Sequence, residues 1–157
     1  MSSLEKLEAR IQILEDIEAI KKLQANFCYV NDSFDWQRTV DLFTDDAVAE
    51  YGPFGNYQGK AEITKFCRDE LPQGLSFLQH MLHNPVIEVK GSTATGSWYF
   101  ETPATQAPQP KAIWIAGRYN GEYIKINGEW KFKRLAVQFF YITPYEDGWA
   151  KTNTAQN

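Results

Sequence analysis

The spacing of hydrophobic residues changes along the chain, and this change constrains the fold more than any other feature. In the first 30 residues, apolar side chains recur every three or four positions, which is the period of an amphipathic helix. From about residue 76 onward they form long runs rich in Val, Ile, Tyr, Phe and Trp, which are typical of β-strands. Helices followed by antiparallel strands are the pattern of an α+β domain.

Three helices and a short strand are predicted in the first part. The longest helix runs to about Val30 and carries one apolar stripe. This stripe consists of Leu4, Leu7, Ile11, Leu14, Ile17, Ile20, Leu23 and Phe27. Asp35 is the expected N-cap of a second helix. The buried side of that helix is expected to consist of Trp36, Val40 and Phe43. A short strand is expected at 47–51, and a third helix follows Gly59.

Four long strands are predicted in the second part, at 76–89, 93–101, 111–126 and 129–143. Asn127-Gly128 lies between the last two and is a strong signal for a tight hairpin turn. The stretch 102–110 contains three prolines and is expected to be a loop. Helices closed over the concave side of a curved, mixed or antiparallel sheet enclose an interior pocket, where small molecules usually bind.

The composition favours a protein with a lined cavity or a subunit interface. Hydrophobic residues make up 43% of the 157 residues, and aromatic residues make up 15%. That is more large apolar surface than a core of this size needs. The formal net charge of −4 argues against nucleic-acid binding, which requires a concentrated basic face.

The sequence contains few signals for cellular location or for domain boundaries. No run approaches the roughly 20 apolar residues of a membrane span, and the first residues alternate charged and apolar types, unlike a signal peptide. Cys28 and Cys67 suggest a reducing compartment. We therefore expect a cytoplasmic protein without membrane or nucleic-acid partners. The expected organisation is a helical extension at 1–14, one domain at 15–144 and a tail at 145–157.

Any catalysis must come from scattered polar side chains, because the sequence contains no phosphate-binding glycine motif and no G-x-S-x-G motif. His80 and His83 lie in the first long strand, where side chains alternate between faces. Alternation places His80 with Leu78 and Leu82, and it directs His83 the other way. A zinc site made by both histidines is therefore disfavoured, and no further ligands are suitably spaced.

His80 is a candidate general base because it is one titratable group on an apolar face. Such a base needs a carboxylate on its other ring nitrogen, as in the logic of the catalytic triad. Asp32, just past Phe27 and Val30 on the long helix, could supply it. A capping or turn role for Asp32 is an equally open interpretation.

The segment Asp32-Ser33-Phe34-Asp35-Trp36 resembles the start of the SnoaL-like, nuclear-transport-factor-2-like superfamily. Weaker supporting pieces are Gln79-His80, the segment from Ala94 to Tyr99 and the segment from Asn127 to Phe132, in matching order. The resemblance spans about residues 14–144. Within the superfamily, scytalone dehydratase, hexachlorocyclohexane dehydrochlorinase and bile-acid 7α-dehydratase are similar.

The resemblance implies a cone-shaped α+β barrel and an Asp-His pair that abstracts a proton without a metal or organic cofactor. Asp32 and His80 match the pair, and Tyr51 matches a tyrosine that in scytalone dehydratase helps hold a water on the substrate carbonyl. Alternation puts Trp98 and Phe100 on one strand face and Ile115 and Tyr119 on the next, and the resemblance makes these the pocket faces. Tyr29 is near Asp32 in the chain and could donate a hydrogen bond to a developing oxyanion. The expected substrate-binding residues are Phe27, Tyr29, Trp98, Phe100, Thr102, Ile115, Tyr119 and Phe139. The sequence departs from individual relatives: Phe27 replaces a lysine or tyrosine, Thr102 replaces a second aspartate, and Gly117 replaces a serine.

The functional hypothesis is a lyase, a dehydratase or related elimination enzyme, acting on a small hydrophobic molecule that contains a ring. Isomerisation by the same proton abstraction is an alternative. A second alternative is a non-catalytic binding or assembly protein that keeps the pair as a buried polar contact. A third is a small structural subunit of a ring-hydroxylating oxygenase. By family analogy the outer sheet face is expected to contact sister subunits in a homo-oligomer, with a trimer favoured over a dimer.

Overall fold

A computed structural model describes residues 2–152, and it has the α+β architecture that the hydrophobic pattern predicts. The helices are α1 (Ser3–Asp32), α2 (Trp36–Asp41), α3 (Gly59–Lys65) and α4 (Leu71–Gly74), with a π-helical turn at Phe66–Glu70 between the last two. The strands are β1 (Phe43–Glu50), β2 (Asn56–Gln58), β3 (Leu75–Leu78), β4 (Met81–Lys90), β5 (Thr93–Gln106), β6 (Ala112–Ile126) and β7 (Glu129–Pro144). Residues 1 and 153–157, the outer ends of the expected extension and tail, lie outside the described residues.

The seven strands form one curled, mixed sheet in the order β2-β1-β7-β6-β5-β3, with β4 also paired to β5. All neighbours are antiparallel except β1 and β7, which run parallel. Asn127 and Gly128 have φ values of 51° and 86° and join β6 to β7 in the hairpin that the sequence predicts. Helix α1 crosses the concave side of this half-barrel.

The hydrophobic core is dominated by aromatic rings between α1 and the sheet. Phe27 of α1 packs edge-on against Phe43 and Phe132, at centroid distances of 6.0 and 5.4 Å. Phe43 and Phe132 stack at 5.0 Å. Contacts of this kind add about 0.5–1.5 kcal/mol per pair beyond simple area burial. Part of the high aromatic content is therefore ordinary core, another part lines the cavity described below, and several further rings, including Tyr99, Tyr145 and Trp149, are exposed.

Two strand boundaries differ from the sequence prediction. Phe43 begins β1 instead of ending α2, so the first strand is longer than expected. The stretch 102–110 is a loop only at its end, because β5 continues to Gln106. This extension arises because β5 has neighbours on both sides there: Thr105 is paired with both Phe77 of β3 and Ala112 of β6.

A third difference lies in the first predicted strand, which is divided between Leu78 and Met81 into β3 and β4. Gln79 and His80 are the two residues of this gap. The backbone N–H of His80 donates to the carboxylate of Asp32 instead of to the neighbouring strand. A tertiary contact therefore interrupts the strand, and hydrophobic spacing cannot show such a contact.

Helix α1 extends beyond the sheet that it covers, and its apolar stripe is not continuous. Ser2 and Glu5 form a capping box that starts the helix, and residues 2–15 are all exposed. Burial begins at Asp16 and continues through Ile20 to Asn31. The stripe predicted as one surface drifts around the helix because Leu14, Ile17, Ile20 and Leu23 follow one another at steps of three, shorter than the 3.6 residues of a turn.

Asp16 fixes the point where α1 meets the sheet. Its Oδ1 accepts hydrogen bonds from Lys125 Nζ at 2.7 Å and from the buried Trp130 Nε1 at 2.9 Å. Burial raises the pKa of Asp16, but the hydrogen bonds from Lys125 and Trp130 outweigh it and hold the pKa below its usual 3.8. The carboxylate therefore stabilises the folded state above pH 3.8, and this contribution is lost as the pH falls through the lowered pKa.

Replacing Asp16 by Ala is expected to reduce the free energy of unfolding by about 2–3 kcal/mol, because the indole N–H of Trp130 stays buried without its charged acceptor. Urea unfolding at pH 7 measures the difference. Asp69→Ala is the control, since its ion pair with Arg68 is exposed and its loss is expected to leave the free energy of unfolding nearly unchanged. Equal losses in the two variants would contradict an anchoring role for Asp16.

Within residues 2–152, the helices are all too short or too polar to cross a membrane.

Candidate active site

A cavity of about 520 Å³ lies between the inner end of α1 and the concave side of the sheet. Its other walls come from the segment between β1 and β3, including Tyr51, Phe66 and Leu71. The volume is within the range of small-molecule sites, which is roughly 300–1,000 Å³. Most of the surrounding side chains are aliphatic or aromatic, and the polar side chains among them are those of Asn31, Tyr51, Glu70, His80, Thr102, Gln106 and Tyr119.

Asp32 and His80 meet at one side of this cavity. Asp32 Oδ1 lies 2.5 Å from His80 Nδ1, and the backbone N–H of His80 donates to Oδ2 and Oδ1 of the same carboxylate at 3.0 and 3.2 Å. A carboxylate at Nδ1 favours the tautomer that carries its proton there. The Nε2 atom is then left with a free lone pair, and the His80 side chain lines the cavity.

The end of α1 places Asp32 for this contact. The helix closes with a Schellman arrangement in which the N–H groups of Phe34 and Asp35 donate to the carbonyls of Asn31 and Val30. Phe34 takes the left-handed conformation, with φ of 54°, at the position that glycine usually occupies. Asp32 is thus the last helical residue, and it is next to Asn31, which is on the buried side.

The strand gap places His80. On either side of the gap, Leu78 is paired with Ala104 and Met81 with Glu101, so this register puts Thr102 opposite His80. Residues directly opposite on antiparallel strands have Cβ atoms about 4.5–5.5 Å apart. Thr102 is 1% exposed and lines the cavity, and its Oγ1 has no hydrogen-bond partner among the described residues. An unpaired buried hydroxyl beside a candidate base is a suitable contact for a polar group of a ligand.

Two tyrosines supply further polar groups. Tyr51 and Tyr119 are buried and line the cavity, and neither hydroxyl has a hydrogen-bond partner within residues 2–152. Burial raises the pKa of Tyr51 well above 10, and burial together with the nearby Cys28, Tyr51 and Asp32 does the same for Tyr119. Both phenols stay protonated at physiological pH. They can therefore donate hydrogen bonds to a ligand oxygen.

Asn31 is a site residue that sequence reasoning missed. Its side chain is buried, lines the cavity and has no hydrogen-bond partner among the described residues. A signal was present in the sequence: Asn31 follows Phe27 by four positions and so lies on the same face of α1. Phe66 was expected to face inward from the third helix, whereas Phe54 and Leu71 carried no comparable signal, because a single 3₁₀ turn and the short helix α4 place them.

Six of the eight expected substrate-binding residues line the cavity: Phe27, Phe100, Thr102, Ile115, Tyr119 and Phe139. Tyr29 does not, because its position on α1 turns it outward and leaves it 74% exposed. Trp98 is buried but packs edge-on against Tyr123 at 6.0 Å and over Gly96, away from the cavity. Trp98 lies on the same face of β5 as Phe100, as alternation predicts, but this face extends beyond the cavity, and Trp98 lies outside the cavity lining.

Gly117 shows why one polar group of a relative is missing here. A Cβ atom at this position would lie 2.4 Å from the carbonyl oxygen of Gln138 and 2.8 Å from the ring of Phe100. The Phe100 ring stacks on Tyr119 at 4.3 Å and occupies this space. A serine at position 117 would not fit without displacing Phe100. The cavity wall at this position is therefore formed by the Phe100 ring and carries no serine hydroxyl.

Neither cysteine is a candidate nucleophile. Burial raises the pKa of Cys67 to about 12 and raises that of Cys28 further, so both thiols are protonated. Across the described residues, no three His, Cys, Asp or Glu side chains lie close enough together to hold a metal ion. His83 is exposed on β4, apart from the cavity.

The model of the SnoaL-like domain family matches residues 12–136. A candidate scytalone dehydratase from Novosphingobium aromaticivorans DSM 12444 is similar, with a TM-score of 0.77 and 21% identity over 84% of this chain and 89% of that chain.

Two further structures are similar. A type 3 hexachlorocyclohexane dehydrochlorinase from Novosphingobium barchaimii LL02 has a TM-score of 0.75 and 24% identity over 91% of this chain and 94% of that chain. A nuclear transport factor 2-like superfamily protein from Salmonella enterica serovar Typhimurium has a TM-score of 0.72 and 19% identity over 86% and 95%. These likenesses show the fold, which is the nuclear-transport-factor-2-like α+β half-barrel.

Proposed function

The chain belongs to the SnoaL-like domain family, and from this premise we propose that it is a lyase that eliminates water or halide from a small hydrophobic molecule containing a ring. Asp32 and His80 form the general base in this proposal. The observation that carries it is their 2.5 Å contact at the wall of a mostly apolar cavity. A histidine oriented by a carboxylate is the usual way to present a general base near neutral pH.

The first step is removal of a proton. Nε2 of His80 takes a proton from a carbon next to a ring carbonyl, and the electrons of the C–H bond move to the carbonyl oxygen as an enolate. Tyr51 and Tyr119 donate hydrogen bonds to that oxygen while its charge develops. Asp32 stabilises the imidazolium that forms at His80.

The second step is loss of the leaving group. As the enolate returns its electrons, a double bond forms between the two carbons, and hydroxide or chloride leaves the second carbon with its bonding pair. The hydroxyl of Thr102 lies opposite His80 and donates to the leaving group. Asn31 holds a second polar group of the substrate. The aromatic walls at Phe27, Phe100 and Phe139 bind the ring.

The test is proton exchange and elimination with a defined panel. Cyclic ketones with and without a hydroxyl or chloride on the second carbon are incubated with the protein in deuterated water and followed by NMR. We expect protein-dependent exchange at the carbon next to the carbonyl, and alkene formation where a leaving group is present. His80→Ala is expected to abolish both, whereas the matched control His83→Ala is expected to retain both.

Two outcomes would contradict the proposal. Exchange that is equal with the protein and with His80→Ala would exclude His80 as the base. A ketone that raises the melting temperature of the protein without exchanging its protons would instead support a binding protein that uses Asp32 and His80 as a structural polar pair.

A further inference from the structure

The exposed first half of α1 carries a row of large apolar side chains. We call the surface of Leu4, Leu7, Ile11 and Leu14 the N-terminal seam. Each of the four is between 46% and 64% exposed, and all belong to one continuous helix. Scattered apolar side chains are common on protein surfaces, but four in a row on a projecting helix indicate an interaction surface.

The N-terminal seam is not a continuation of the side of α1 that packs on the sheet. Ile11 and Ile20 are nine residues apart, which is about two and a half turns at 3.6 residues per turn. Ile20 is fully buried against the domain, so Ile11 points the opposite way. The same offset separates Leu14 from the buried Leu23. The domain of the same chain therefore cannot cover the seam without bending α1.

The spacing of the N-terminal seam matches a coiled coil. Leu4, Leu7, Ile11 and Leu14 are separated by three, four and three residues, which places them at the a and d positions of two heptads. The second heptad has Ile at a and Leu at d, which is the combination that favours two parallel strands. The capping box at Ser2 and Glu5 starts the helix directly before the first seam residue.

The charges beside the seam favour a second copy in the parallel orientation. In this register Arg10 is at a g position, and Glu8 and Glu15 are at e positions. Parallel strands bring Arg10 of one copy to Glu15 of the other, twice per pair, because g of one heptad meets e of the next. Antiparallel strands would bring Arg10 near Arg10 and glutamates near glutamates. Within residues 2–152, neither Arg10 nor Glu15 has an ion-pair partner.

We propose that the N-terminal seam pairs with the seam of a second copy of this chain as a parallel, two-stranded coiled coil. The two domains then extend from the same end of the paired helices. The contact uses only the exposed half of α1, so it leaves Asp32, His80 and the cavity walls unchanged.

Sedimentation velocity of the full chain and two matched variants tests the proposal. Ile11 lies in the seam and Ile13 lies outside it, yet both are 46% exposed. Ile11→Lys is expected to halve the mass of the assembly. Its dissociation constant for pairing is expected to be at least tenfold higher than that of the unchanged protein. Ile13→Lys is expected to keep the mass of the unchanged protein. A protein that sediments as a monomer, or an assembly whose mass Ile11→Lys leaves unchanged, would overturn the proposal.

Charge exchange tests the orientation. Arg10→Glu is expected to weaken pairing at least tenfold, and adding Glu15→Arg to it is expected to restore pairing, because the two ion pairs re-form with their signs reversed. In an antiparallel pair the double variant would keep like charges together and restore nothing. Failure of the double variant to recover the assembly would therefore exclude the parallel arrangement.

Discussion

Replacing Asp32 by Asn is expected to lower the rate of proton removal by about 10²–10⁴-fold, the range that a positioned general base contributes. The amide keeps an oxygen that can accept the backbone N–H of His80, so the fold should survive. It carries no charge to stabilise the imidazolium, and its NH₂ group can turn the ring into the wrong tautomer. The measurement is deuterium exchange into a ring ketone at saturating concentration.

Two controls accompany Asp32→Asn. Asp41→Asn removes an exposed carboxylate with the same change of charge and should leave the rate unchanged. His80→Ala should cost at least as much as Asp32→Asn, and the double variant should be no worse than His80→Ala, because residues that act as a unit have non-additive effects. Losses that multiply in the double variant would show that the two side chains act independently.

Replacing Tyr51 by Phe is expected to lower turnover by about 10²–10³-fold, which is the usual effect of removing one hydrogen-bond donor to a developing oxyanion. The ring remains, so its stacking on Phe66 at 4.8 Å and the melting temperature should be retained. Tyr29→Phe removes a hydroxyl from an exposed tyrosine and is the matched control. Equal activity of the two variants would remove Tyr51 from the mechanism.

The raised pKa of Tyr51 and of Tyr119 adds a pH expectation. Burial disfavours the phenolate, so both hydroxyls remain donors up to and beyond pH 10. Ionisation of these tyrosines should therefore cause no loss of turnover as the pH rises from 7 to 10. A fall in rate over that interval that is absent in Tyr51→Phe would contradict the assignment of Tyr51 as a protonated donor.

The sequence predicted the fold class well because it depends on local periodicity. The change from helical to strand spacing, the hairpin at Asn127-Gly128 and the alternation that separated His80 from His83 are all local signals. The family resemblance then brought Asp32 and His80 together across 48 positions, and their atoms lie in contact in the structure. Their catalytic use remains a prediction.

Sequence reasoning missed some parts for local reasons and others because of tertiary contacts. Tyr29 was expected near Asp32 because it is close in the chain, but the turn of the helix directs it to solvent. Trp98 was expected in the cavity because of its strand face, yet Gly96 and Tyr123 provide a site for it deeper in the core. Thr102 was expected in the cavity, but only the coordinates show that its buried hydroxyl has no partner among the described residues, and Asn31 was missed although it shares a helix face with Phe27.

Helix α1 is uninterrupted from Ser3 to Asp32, which at 1.5 Å per residue is roughly 45 Å. The exposed N-terminal turns and Asp32, which contacts His80, therefore belong to one continuous helical rod. A reporter protein joined through a rigid helical linker in phase with Ser3 would be held at a fixed angle to the cavity, so its orientation could be used to detect any tilt of the rod when a ligand binds.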